Sequence, residues 1–314
     1  MSNKRHDFSQ AKVVLVEPDS GVRRLIAAAM RSRSFDNVVV TDSIGQLEDL
    51  AGTDLLDLII CDVETNGNAF VGFHNLIRKG GHGPNPYVSS IATTSDRTED
   101  NIRAVINSGI DNILLKPLSV AAIIDRVMAI IASRKDFVVA AEYIGPDRRV
   151  RPRQQVSMPL VTVPNTLKAR AEGSYVEAQI KKDIAIANAL INEQRTTQSA
   201  VLINEIVLQI IPFYAENKND DSILIHLHHL LRTAHDLAHR NRSTNREVAD
   251  LCSAMIPIVQ KVTNEHRDPA QKDLHLMKDL ATAIFMAYGT VDKIEAMSTS
   301  IAESIKNARR FSGA

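Results

Sequence analysis

Six polar residues stand where runs of Val, Ile and Leu end. They are Glu17 and Asp19 after KVVLV, Asp62 closing LDLIICD, Thr94 and Ser95 after YVSSIAT, and Lys116, before Pro117, after NILL. If those runs are parallel strands of one sheet, their carboxyl ends share an edge, and that edge gathers carboxylates, hydroxyls and an ammonium. The set suits phosphoryl transfer. A carboxylate can attack phosphorus to form an acyl phosphate. Neighbouring acids supply hard oxygen ligands for Mg²⁺, and a lysine beside them neutralises the transferred group. Any one of these residues alone reads as a solvated strand end. Together, in register with the strand order, they read as a site.

The elements that must position them alternate in type. The runs KVVLVE, NVVVT, LDLIICD, YVSSIATTS and NILLKP are separated by helical patterns such as RRLIAAAM, FVGFHNLIRK and AAIIDRVMAIIAS. Nearly continuous aliphatic runs imply strands buried on both faces. Their alternation with helices implies βαβ units and a parallel sheet. The expected fold of residues 1–135 is therefore an α/β doubly wound domain with a five-stranded parallel sheet, whose sites lie at the strand carboxyl ends. Residues 136–171 break the pattern with Pro146, Pro152, Pro159 and Pro164 and a cluster of Arg148, Arg149, Arg151 and Arg153, and read as a linker. Residues 172–314 are helical in period and poor in glycine. They are expected to form an all-helical bundle of helices near 173–193, 196–216, 221–240, 245–265 and 270–308. Thr244 with Glu247 suits a capping box, Asp268-Pro269 suits a helix start, and Pro212 a kink or end.

Bulk properties bound the function. Lys+Arg and Asp+Glu both total 37, so the chain carries no net charge, and bulk nucleic-acid binding is not expected. Cys61 and Cys252 are too far apart in sequence for a metal motif, and a disulfide framework is not expected. No apolar run is long enough for a membrane span and no signal peptide is visible, so the expected compartment is the cytoplasm.

The segments VVLVEPDSGVRRLI, LDLIICDV and ATTSDRTEDNIRAVINSGIDNILLKP resemble the receiver domain of bacterial response regulators, over about residues 11–134. The resemblance implies the flavodoxin-like receiver fold and two-component phosphorelay signalling. Asp62 takes the place of the phosphoacceptor, Glu17 that of the first metal acid, Thr94 that of the switch hydroxyl and Lys116 that of the phosphate-binding lysine. Pro117 falls where the family has a cis peptide, and Gly109 on the turn before the last strand. Mg²⁺ would be held by Glu17, Asp62 and the backbone of Glu64, with Asp19 standing in for a second acid. The chain departs from the pattern at that second acid position, which is Pro18. It departs again at the turn after Asp62, which reads Thr65-Asn66-Gly67, and at the aromatic switch position, which is Ile113. Weakened metal binding and an altered switch follow.

In the helical half, ILIHLHHLLRTAHDLAHRNRS places His228, Arg232, His235 and His239 on one helix face. A solvated face is one reading. LLRTAHDL also resembles the segment around the phosphohistidine of histidine phosphotransfer bundles, with His235 in its place. That family has Lys and Gly three and four residues later, where this chain has Ala238 and His239. A third reading takes His235-Asp236 as the dyad of a metal phosphohydrolase, with His266 or His275 as further ligands.

The combined expectation is a response regulator with no catalysis beyond its own phosphorylation and dephosphorylation. Its donor would be a sensor histidine kinase or phosphotransfer protein, and its output protein–protein contacts through the face of the fourth helix, fifth strand and fifth helix. The alternatives are a pseudo-receiver scaffold and a receiver-controlled phosphohydrolase. The downstream partner and homodimerisation are left open.

Overall fold

A computed structural model describes residues 6–149, 159–215 and 221–288. It divides into two compact units, one of residues 1–150 with 158–191, the other of residues 151–157 with 192–314.

The first unit begins with β1 (Val13–Val16), α1 (Ser20–Arg31), β2 (Val38–Thr41), α2 (Ile44–Thr53), β3 (Leu58–Asp62), α3 (Ala69–Arg78), β4 (Ser89–Thr94), α4 (Glu99–Asn107), β5 (Asn112–Leu115) and α5 (Val120–Ala132). The strands form one parallel sheet in the order β2-β1-β3-β4-β5, as the alternating pattern implies. Every residue of β1, β3 and β4 is buried. Alternate residues feed opposite faces, as strand geometry demands. Val13, Leu15, Leu58, Ile60 and Ile91 pack with Ile26, Met30, Ile123 and Val127 of α1 and α5. Val14, Val16, Ile59, Cys61 and Ala92 pack with Leu47, Phe70, Phe73 and Val105 of α2, α3 and α4. Each fully buried aliphatic side chain contributes roughly 1.5–3 kcal/mol. Asp19, Ser43 and Ser119 cap α1, α2 and α5 with their side-chain oxygens.

Of residues 136–171, expected as a linker, the described ones carry structure that lies with this unit. β6 (Phe137–Val139) and β7 (Ile144–Pro146) pair antiparallel, and α6 (Thr166–Ala171) follows. Phe137, Val139, Ile144, Val161 and Val163 form a core with Tyr87 and with Ile180 and Ile184 of α7 (Glu177–Ala215). Pro146 ends β7, and Pro159 and Pro164 stand outside regular elements. Arg148 and Arg149 are among the described residues, with Arg148 donating to the Ile110 carbonyl and Arg149 paired with Asp147. Arg151, Pro152 and Arg153 lie outside them.

Under this addition sits a buried ion cluster. Arg78 donates to the carbonyls of Gly109, Pro86 and Val88 at 2.9, 2.7 and 2.9 Å and pairs with Asp111 at 3.0 Å. Arg134 pairs with the other Asp111 oxygen at 2.8 Å and donates to the carbonyls of Tyr87 and Pro164. Both guanidiniums stand over the Phe137 ring, 5.3 and 5.2 Å from its centroid. Burial alone would raise the Asp111 carboxyl. Arg134 and Arg78 overcome it and hold the group below the ordinary carboxylate range. Burial brings Arg78 down to about 10, with Asp111 opposing, so it stays charged at neutral pH.

The second unit is helical throughout its described residues: α7 from Asn192, α8 (Ile223–Asn241), α9 (Arg246–Asn264) and α10 (Gln271–Met286). Its core joins Ile203 and Ile210 of α7, Leu230 and Leu237 of α8, Met255 and Val259 of α9, and Met277 and Ile284 of α10. The two helices expected at 173–193 and 196–216 are one, because Gln194 and Arg195 between them are neither glycine nor proline. Pro212 lies inside that helix near its end. Asn245, not Thr244, caps α9, and α10 starts at Gln271, beyond Asp268-Pro269. The expected continuation of the last helix past 288 lies outside the described residues. No helix among the described residues is long and apolar enough to cross a membrane.

The arginine cluster generates a stability prediction. Asp111→Ala leaves two buried guanidiniums without their shared carboxylate. It should destabilise the first unit by about 3–5 kcal/mol, read as a lower urea midpoint. A midpoint matching the parent chain would show that the carbonyl acceptors suffice.

Candidate functional site

The strand order decides which residues can meet. β1 and β3 are neighbours, so Glu17, which extends β1 by donating its amide to Thr41 at 3.0 Å, comes to lie beside Asp62 at the end of β3. Both acids are buried, Glu17 at 0% and Asp62 at 1% exposure. Lys116 follows β5, its amide donating to the Thr94 carbonyl at 2.9 Å, and the Lys116-Pro117 peptide is cis. Its ammonium lies 2.7 Å from Asp62 Oδ2 and 2.9 Å from Glu17 Oε2. Burial pulls the Lys116 pKa down, but hydrogen bonds and charge from Asp62 and Glu17 outweigh it and raise the pKa overall. The Thr65 hydroxyl donates to the other Asp62 oxygen at 3.1 Å.

The remaining expected residues divide. Thr94 follows Thr93, the register partner of Asp62 in β4, and so belongs to the same edge. Ile113 pairs with Ala92 and packs, partly buried, on the α3–α4 side of the sheet. Gly109 has φ +81°, and a Cβ there would lie 2.2 Å from the Ile144 carbonyl oxygen, so the approach of β7 requires glycine. Asp19 does not join the acids through its carboxylate. One oxygen accepts from the amides of Gly21 and Val22, both at 2.8 Å, as the cap of α1. Its own amide donates to Glu17 Oε1 at 3.1 Å. Pro18 is exposed, and its carbonyl accepts from Arg23. Asn66, Gly67 and Asn68 all have positive φ, which their residue types tolerate.

The side chain of Glu64 is a site residue that sequence reasoning missed. One of its oxygens accepts from the Thr94 hydroxyl at 2.6 Å and from the amides of Ser95 and Asp96 at 2.7 and 2.9 Å. Burial pushes its pKa up, but these hydrogen bonds, with the charge of Lys116, leave it lowered. The only signal in the sequence is an acid two residues after Asp62.

The donor chemistry fits a hard cation in part. Glu17 and Asp62 bring two buried carboxylates, and Glu17 Oε2 and Asp62 Oδ2 have no neighbour in reach but the Lys116 ammonium. A third carboxylate is lacking: no group of three or more His, Cys, Asp or Glu suited to a metal occurs among the described residues.

In the second unit, His228, Arg232, His235 and His239 are all exposed on α8, the expected stripe. Ala238 is buried at 7% exposure, so it belongs to the core and not to that face. Asp236 accepts from Arg195 at 3.1 Å and from Arg240 at 3.0 Å, and Arg240 also donates to Thr196 and Ser199. His266 pairs with Asp221, and His275 meets the Gln271 carbonyl. The residues suggested as a metal set with His235 are thus engaged separately.

Residues 13–128 match the family model of the response regulator receiver domain. Among solved structures the chain is similar to a response regulator from Thermotoga maritima, at 20% identity and a TM-score of 0.35, over 39% of this chain and 98% of that one. It is also similar to an orphan response regulator of H. pylori, at 20% identity and a TM-score of 0.33, over 38% of this chain and 96% of that one. No curated protein matches the chain.

The exposed Pro18 next to Glu17 sets a metal-binding prediction. At about 4 Å in water a carboxylate attracts a divalent cation by about 2 kcal/mol. Pro18→Asp should therefore tighten Mg²⁺ binding by roughly tenfold after side-chain ordering is discounted, measured by calorimetric titration. Unchanged affinity would mean that the loop from Glu17 to α1 cannot aim a new carboxylate at the pocket.

Proposed function

We propose that the chain is a two-component response regulator phosphorylated on Asp62, a reading supported by the match of residues 13–128 to the family model of the response regulator receiver domain. The observation that carries this is the Lys116 ammonium held between Asp62 and Glu17 at the strand tips. One Asp62 oxygen attacks the phosphorus of a donor, a phosphohistidine of a sensor kinase or phosphotransfer protein, or a small acyl phosphate. The bond from phosphorus to the donor nitrogen or oxygen breaks, and the leaving group departs with the electron pair. Glu17, Asp62 and the Glu64 carbonyl are the groups that would hold Mg²⁺, which supplies charge neutralisation at the phosphoryl oxygens when bound. Lys116 adds a fixed positive charge 2.7 Å from the acceptor carboxylate. Thr65 orients that carboxylate through its second oxygen.

Acetyl phosphate with Mg²⁺ should place one phosphate on the chain, read by intact mass, and Asp62→Asn should abolish it. An adduct that survives in Asp62→Asn sinks the assignment.

The helical unit serves protein contacts in this reading. His235 resembles a phosphotransfer histidine and is exposed, but His239 shares its face one turn on, and no charge can come from the buried Ala238. We expect His235→Gln to leave the rate of phosphoryl loss from the phosphorylated chain unchanged within about twofold. Alkali-stable, acid-labile label that vanishes in His235→Gln would instead make the protein a two-site relay.

A further inference from the structure

Three hydrogen-bond donors converge on one oxygen of Glu64: the Thr94 hydroxyl at 2.6 Å, the Ser95 amide at 2.7 Å and the Asp96 amide at 2.9 Å. Successive backbone amides with a hydroxyl make a concavity for an anion, and their aim does not depend on which anion fills it. The concavity is also held rigid. The Asn101 amide nitrogen donates to Thr94 Oγ1 at 3.1 Å and to the Asp96 carbonyl at 3.0 Å, tying the loop to α4. Its place in the sheet is next to the acceptor, since Thr93 is the register partner of Asp62 and Thr94 is the following residue.

We propose that the Glu64 carboxylate is a resident anion in a nest suited to the phosphoryl group of Asp62, and that phosphorylation has to displace it. This rests on the reading of Asp62 as phosphoacceptor. A hydroxyl has one hydrogen to donate. In this structure the Thr94 hydrogen is directed to Glu64, because its other acceptor, the Asp96 carbonyl, is distant at 3.3 Å. A phosphoryl group brings a charge of about −1.5 to −2 and three acceptor oxygens. It cannot share those donors with a carboxylate, since like charges at that range repel. Glu64 is therefore a positioning residue that competes with the product of the reaction. It holds the loop between β4 and α4 in its unphosphorylated arrangement and lowers the occupancy of the phosphorylated one. Its carboxylate is attached to the exposed residue two places after Asp62, so it can swing into solvent without disturbing the core.

The test uses the full chain and two arms. In the first, inorganic phosphate is titrated into the parent chain, Glu64→Gln and Glu64→Ala, and backbone amide resonances are followed. Glu64→Ala should show saturable shifts at Ser95 and Asp96 that the parent lacks, with Glu64→Gln in between because its amide oxygen still accepts but carries no charge. Responses at Ser95 and Asp96 no larger in Glu64→Ala than in the parent would overturn the proposal, as would shifts confined to Lys116. In the second arm, acetyl phosphate and Mg²⁺ are added and the steady-state phosphorylated fraction is read by intact mass. The fraction should rise severalfold from parent to Glu64→Gln to Glu64→Ala, and equal, non-zero fractions would also overturn it. If none of the three takes phosphate, the reading of Asp62 fails, and the phosphate titration alone decides the nest.

Discussion

Two buried carboxylates beside each other repel unless a cation sits between them, and Lys116 is that cation. The sheet order makes the arrangement demanding. β1 and β3 are adjacent, so Glu17 and Asp62 are brought together by neighbouring strands, but β4 lies between β3 and β5. Lys116 must therefore reach across the end of β4. A long, flexible stem with a compact charge can do that. The arrangement is thus a consequence of topology combined with side-chain length.

The first unit holds a second ion cluster, with the opposite balance of charge. Around Asp111 there are two guanidiniums for one carboxylate, an excess of positive charge. That excess is spent: Arg78 and Arg134 give their remaining hydrogens to the carbonyls of Gly109, Pro86, Tyr87 and Pro164 and lay their planes on Phe137. Around Lys116 there are two carboxylates for one ammonium, an excess of negative charge. Here the excess is left over, since two carboxylates share one ammonium, and among the described residues Glu17 Oε2 and Asp62 Oδ2 have no other ion-pair partner. A buried charge with its partners complete adds rigidity. A buried charge with capacity to spare attracts a ligand.

The parallel sheet and its tip residues were legible because a strand buried on both faces writes itself as an aliphatic run, and the residue that ends the run is the tip. Residues 136–171 were not legible, because their contribution is single apolar residues such as Phe137, Val139, Val161 and Val163 set among prolines and charges. Such a segment has no period, and its partners, Tyr87 and the first part of α7, are distant in sequence. The join inside α7 misled for a related reason. Arg195 sits where a loop was expected, but it is buried, and together with Arg240 it holds Asp236. Glu64 was signalled only by being an acid two residues after Asp62, since its role depends on donors from the end of β4 and the two residues after it.

The same consideration separates the two faces of α8. Asp236 and His235 are sequence neighbours, yet a helix turns about 100° per residue, so adjacent residues serve different surroundings. Asp236 pairs with Arg195 of α7 and with Arg240 one turn on along α8, and His235 turns outward with His228 and His239. The two residues of the dyad thus have different partners, since Asp236 is held by arginines. Ala238 completes the picture: three residues after His235 it is already in the core, among the contacts of Leu237 and Met255. A lysine at that position could not be accommodated without burying its charge or moving the helix. The departure from the phosphotransfer pattern at 238 is thus built into how this helix packs, and the outward histidines stand as a surface of their own.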